Sequence, residues 1–75
     1  MTQLDVAYHY ETAPRKLTMQ ALDGVGEVYG VRRITFDETA RVVRVEFDAS
    51  RLKEPAIARL LREAGLDIGE KLALA

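Results

Sequence analysis

No cysteine occurs anywhere in the 75 residues. That absence excludes disulfides, thiolate metal sites and thiol nucleophiles together. Histidine is almost as scarce, with His9 alone. Neither a Ser-His-Asp nor a Cys-His arrangement has support, no paired carboxylates stand out, and the chain reads as a non-enzyme. Charge of one sign is also lacking. Eleven basic residues against 12 acidic ones leave a formal charge of −1, which gives no global pull toward nucleic acid. No apolar run approaches the roughly 20 residues of a membrane span. The opening MTQLDVAYHY lacks the basic start and long apolar stretch of a signal peptide, so a cytoplasmic protein is expected, alone or as a domain of something larger.

What is present is a soluble globular composition, 48% hydrophobic and 31% charged. The length suits one small domain, residues 1–75, with a single modest core.

From Leu4 to Tyr10 the residues alternate. Leu4, Val6, Tyr8 and Tyr10 point one way and Asp5, Ala7 and His9 the other, the mark of a half-buried strand. After Glu11 the alternation breaks, and Thr12 is the expected N-cap of a helix with Pro14 in its first turn. Leu17, Ala21 and Val25 or Val28 form the expected inward stripe. Gly24 and Gly26 leave the helix end between Leu22 and about Val28.

Ile34 and Phe36 are inward on a second strand, with Arg33 and Thr35 outward. Asp37-Glu38-Thr39-Ala40 supplies a hairpin turn. On the third strand Val43, Val45 and Phe47 face inward, and Val42, Arg44 and Glu46 outward. Setting Phe36 opposite Val43 puts Ile34 opposite Val45 and Arg33 opposite Glu46. A slip of one residue would drive charges into the core. A second helix starts after Lys53 with Pro55 in its first turn. It buries Ile57, Leu60, Leu61 and Ala64 and stops at a left-handed Gly65. Ile68 to Leu74 gives a short last strand.

The sum is an α+β fold of order βαββαβ. Two helices cover one face of a four-stranded antiparallel sheet, a ferredoxin-like sandwich. The other face is open and carries Asp5, His9, Arg33, Arg44 and Glu46, the expected interaction face.

Three short patterns fall at matching places along this order: Gly30-Val31 before the second strand, Val45-Glu46-Phe47-Asp48 ending the third, and Ala64-Gly65 closing the second helix. In this they resemble the second half of heavy-metal-associated domains, the small copper-chaperone fold. The resemblance implies a scaffold whose Met-x-Cys-x-x-Cys loop, between strand one and helix one, holds a soft ion between two thiolates. Counting back from Gly30 puts the two cysteine positions at Pro14 and Leu17, or with a gap near Gly24 at Tyr8 and Glu11. Neither choice restores a thiolate pair, so no metal ligand carries over and no cofactor is expected. The resemblance then implies a non-catalytic binding module with a protein partner, as a monomer or weak dimer.

The rival readings are weaker. His9 with Glu11 makes a candidate non-thiolate metal site, but two ligands fall short of the three or four typical of zinc, and a solvated surface histidine is the simpler reading. Met1 and Met19 read as packing residues, not thioether ligands. Gly24, Gly26 and Gly30 follow a helix and lead into a strand, the reverse of the context that phosphate loops need. Arg33, Arg44 and Arg41 make a small basic patch. Its sheet lacks the exposed stacking aromatics of RNA-binding surfaces, so no nucleic acid is expected. A small-ligand regulatory domain of the ACT kind shares the element order and is the remaining alternative.

Overall fold

Val43 and Val45, with no exposed surface, mark the strand on which the domain is assembled. A computed structural model describes residues 3–72. Met1 and the last residues of the expected final strand, 73 and 74, lie outside them. The order is β1 (Gln3–Tyr10), α1 (Lys16–Gly26), β2 (Val31–Asp37), β3 (Val42–Asp48), α2 (Glu54–Glu63) and β4 (Ile68–Leu72). The sheet order is β2-β3-β1-β4 with every pairing antiparallel, so β3 and β1 are central and β2 and β4 are edges. Val6, Tyr8, Tyr10, Val43, Val45 and Phe47 of the sheet pack with Leu22 of α1 and Ile57, Ala58 and Leu61 of α2. All of these strand residues share one face, so both helices cover that face.

The β2–β3 hairpin has the register read from sequence: Phe36 opposite Val43, Ile34 opposite Val45, Arg33 opposite Glu46. A bulge between Val31 and Arg33 marks where the strand bends at its start. The turn itself is shifted by one residue. Asp37 still belongs to β2, and Arg41 closes the loop at φ 55° while the Asp37 carboxylate accepts the Ala40 N–H at 3.1 Å. An aspartate bonding its own backbone three residues on stabilises such a turn without leaving the strand. The second helix has the expected ends, with Lys53 before it, Pro55 in its first turn and Gly65 after it at φ 101°, but its buried residues are Ile57, Ala58 and Leu61, while Leu60 and Ala64 are only half-buried. Glu54 at its start is tied to Lys71 of β4 at 2.7 Å.

The first helix differs. It starts at Lys16, with Arg15 at the N-cap position and no side-chain cap bond, not at Thr12. The Thr12 N–H is held by Asp67 across the sheet end, and Ala13 precedes a proline, which favours extended backbone. The helix is also turned relative to expectation. Leu22 and Val25 are its buried residues, whereas Leu17 is 77% exposed and Ala21 faces water. Leu17 lies five residues from Leu22, about 140° around the axis, so burying one exposes the other. Met19 is likewise exposed and does not pack. On β1, Leu4 faces the helix layer but is 48% exposed at the sheet end, whereas Ala7 on the open face is covered between Arg44 and Leu72.

The α1–β2 connection turns at Gly30, φ 103°, where a Cβ would come within 3.0 Å of Arg51 Cβ and Leu52 Cγ. Gly24, inside α1, has nothing within 4 Å of the same added atom. Two alanine substitutions should therefore act in opposite directions. Gly30→Ala lowers stability by about 1–3 kcal/mol, and Gly24→Ala raises it by about 0.5–1 kcal/mol. Urea midpoints of the two variants check both signs.

Candidate functional site

Two places carry polar chemistry, the open sheet face and the loop that joins β1 to α1. On the face, register decides the neighbours: Asp5 is opposite Glu46, Ala7 opposite Arg44, Arg33 opposite Glu46 and Thr35 opposite Arg44. Glu46 is the hub. Its carboxylate accepts from Gln3 Nε2 at 3.1 Å and faces Arg33 Nε at 3.7 Å. Arg44 Nε lies 4.0 Å from Asp5 Oδ2. Four of the five expected face residues thus form two opposite-sign pairs, Arg33 with Glu46 and Arg44 with Asp5, although Asp5 also lies opposite Glu46; each exposed pair is worth only about 0–1 kcal/mol. His9 stands apart at the loop end, opposite Val42. Arg33 and Arg44 are each matched by an acid. Arg41 does not join them, because its Nη1 donates to the Glu11 carbonyl at 2.7 Å.

The loop is built from the end of α2. Gly65 donates to the Arg62 carbonyl and Leu66 to the Leu61 carbonyl, a left-handed stop that buries Leu66 and turns Asp67 toward β1. Tyr10 pairs with Ile68, so Glu11 and Asp67 are the next residues outward from that pair. Asp67 Oδ1 accepts the N–H groups of both Glu11 and Thr12 at 3.2 Å. Arg41 also accepts the Tyr10 N–H on its own carbonyl at 3.0 Å. A carboxylate on one side and a guanidinium on the other hold Glu11 and Thr12 at the end of β1. The cleft beside it, about 310 Å³, is lined by Thr12, Ala13, Pro14, Arg15, Thr18, Gly65 and Asp67. Among the described residues no three His, Asp or Glu side chains converge as a metal group would require.

The opposite end of the domain has its own carboxylate, missed by the sequence reading. Asp48 is 4% exposed; its Oδ1 accepts the Ser50 hydroxyl at 2.6 Å and the Ser50 N–H at 3.0 Å, and Arg51 lies beside it. The bond from the Ser50 hydroxyl is the chief reason its carboxyl is held below the ordinary aspartate value, with the Ser50 N–H, Arg51 and Arg32 adding to it against the effect of burial. The Arg51 guanidinium also lies 4.4 Å from the centre of the Tyr29 ring. The short Asp48-Ala49-Ser50 spacing was a readable turn signal. Asp67 had no local signal, because its partners are 55 and 56 residues away. Burial raises the Tyr8 and Tyr10 phenols and keeps both neutral.

The Asp67 carboxyl is likewise lowered, first by the Thr12 N–H; burial opposes this next most strongly, and the Thr12 hydroxyl and the Glu11 N–H add to the lowering. A depressed folded value means the latch stabilises fully above the ordinary aspartate range and is lost as pH falls through the folded value. A carbon-13 carboxyl titration should place the Asp67 midpoint below 3.8. Asp67→Asn should flatten the part of the stability–pH curve below about pH 4 that Asp48 does not supply.

No protein-family model matches the chain, and no curated protein does. Among solved structures, the chain is similar to oxidized MerP from Ralstonia metallidurans CH34, with a TM-score of 0.72 at 14% sequence identity, over 91% of this chain and 96% of that one. At that identity the likeness is one of fold. The chain shares with that structure a ferredoxin-like fold, with four antiparallel strands and two helices in βαββαβ order.

Proposed function

We propose that this domain is a non-catalytic binding module on a heavy-metal-associated-type scaffold, working through contacts with a protein and not through a bound ion. The observation that carries the reading is the latched loop. Backbone groups at Glu11 and Thr12 are committed to Asp67, the Glu11 carbonyl to Arg41, and the positions counted for thiolates hold Pro14 and an outward Leu17. Ion hand-over favours a shallow site with soft donors, and this loop has none. Carboxylate and imidazole ligands at Glu11 and His9 supply two donors at most, short of a zinc site.

The open face supplies the contact surface. Asp5, Arg33, Arg44 and Glu46, with His9 at its end, present charges of both signs held at fixed spacing by the register, and Ala7 leaves the centre low. Such a surface gains specificity from charge complementarity more than it gains affinity, and favours a polar protein face over a polyanion. No helix among the described residues is long and apolar enough to cross a membrane.

The reading is tested by nitrogen-15 chemical-shift titration with Cu(I) and with Zn(II). The expected result is no saturable change at residues 8–17. Tight, stoichiometric shifts confined to those residues, lost in a His9→Ala variant, would show that the loop still handles metal.

A further inference from the structure

The β2 edge is self-complementary, and we propose that it pairs with the β2 edge of a second copy of this chain. Tyr10 N–H donates to the Arg41 carbonyl, and Asp48 N–H donates to the Gly30 carbonyl. Because N–H and C=O of one strand residue point to the same side and alternate along the chain, Val43, Val45 and Phe47 bond toward β1, and Val42, Arg44 and Glu46 toward β2. Their partners on β2 are Asp37, Thr35 and Arg33. The main-chain groups of Ile34 and Phe36 are left facing outward, along an edge that no strand covers in the order β2-β3-β1-β4.

The usable length of that edge is Arg33–Asp37, because the bulge interrupts the strand before Arg33. Its middle residue is Thr35. An antiparallel pairing about a two-fold axis at Thr35 sets Arg33 opposite Asp37 of the second copy, and Asp37 opposite its Arg33. It sets Ile34 opposite Phe36 and Phe36 opposite Ile34, with Thr35 facing Thr35. Both charged pairs are of opposite sign and fall on the open face. Both apolar pairs fall on the helix face, where Ile34 and Phe36 are only partly buried. The outward main-chain groups are those of the Ile34–Phe36 pairs, so those residues exchange both bonds. Shifting the pairing by one step in either direction opposes Arg33 to Thr35 or Asp37 to Thr35 and loses both ion pairs. One register therefore satisfies the backbone, the charges and the apolar residues together.

The other edge does not compete. β4 carries Gly69, and an antiparallel pairing about its central residue would set Glu70 against Glu70 of the second copy. A contact of five residues per copy falls below the roughly 1,000 Å² of a stable interface, so the dimer is weak and concentration-dependent. The pairing shares Arg33 with the open face, where that side chain also lies beside Glu46, but does not involve the loop, and its test does not involve metal.

Sedimentation velocity and nitrogen-15 spectra of the whole chain, from about 10 µM to about 1 mM, test it. The expected result is reversible dimer formation, with the Ile34 and Phe36 amides gaining protection from exchange as concentration rises. Arg33 and Thr35, already bonded to β3, stay as they were. Thr35→Glu keeps the fold, because the new carboxylate faces Arg44 within its own chain. It sets like charges at the two-fold axis, however, and weakens the dimer by about two- to fivefold. Thr35→Val retains the dimer and controls for the loss of the hydroxyl. A monomer throughout the range, protection appearing on β4 or the helices instead, or a dimer indifferent to Thr35→Glu would each overturn the proposal.

Discussion

The structure depends on the alternation along β3. Val43, Val45 and Phe47 fill the core, while Arg44 and Glu46 stand on the opposite face of the same strand. A strand repeats every two residues, so any slip exchanges these sets, and two charges would enter a region with no water to solvate them. That penalty fixes β3 against β1 and β2 at once. From the fixed register follow the order of charges on the open face, the joining of Arg33 to Glu46, and the side to which each main-chain group of β2 points.

The ends of the sheet are closed by carboxylates. Asp48 gathers the β3–α2 turn through Ser50, and its main-chain N–H holds the Gly30 turn at 2.7 Å. Asp67 gathers the β1–α1 loop through Glu11 and Thr12. A charged acceptor bonded to backbone N–H groups makes a stronger bond than a neutral one. The latch is a physical means of ordering this loop with protein groups, which makes the loop a structural corner of the domain.

Much of this was legible in the sequence because it is local. The alternation at Ile34–Phe36 and Val43–Phe47, the Pro55 entry and Gly65 exit of α2, and the Arg33–Glu46 pairing all depend on neighbours in one hairpin or one helix. The start of α1 was not legible. Thr12 has the side chain of a cap, but its N–H is drawn to Asp67, a contact that exists only after β4 docks beside β1. The phase of α1 was misleading for a related reason: Leu17 and Leu22 lie on different stripes, and only the packed sheet decides which is buried. Asp67 and Arg41, the two groups that define the loop, carry no local pattern. The outward alternation of Asp5, His9, Arg33, Arg44 and Glu46 is local to their strands, whereas the separation of His9 from the charged pairs required the cross-strand partners.

The central claim is that protein groups, with Asp67 foremost, order the β1–α1 loop without an ion. Amide hydrogen exchange at Glu11 and Thr12, measured with a metal chelator present, tests it most directly. Both amides should be protected in the wild-type chain whether or not chelator is added, and should lose that protection in Asp67→Ala while the amides of Val43 and Val45 keep theirs. Protection that appears only when a metal ion is supplied, or that survives removal of the Asp67 carboxylate, would contradict the account.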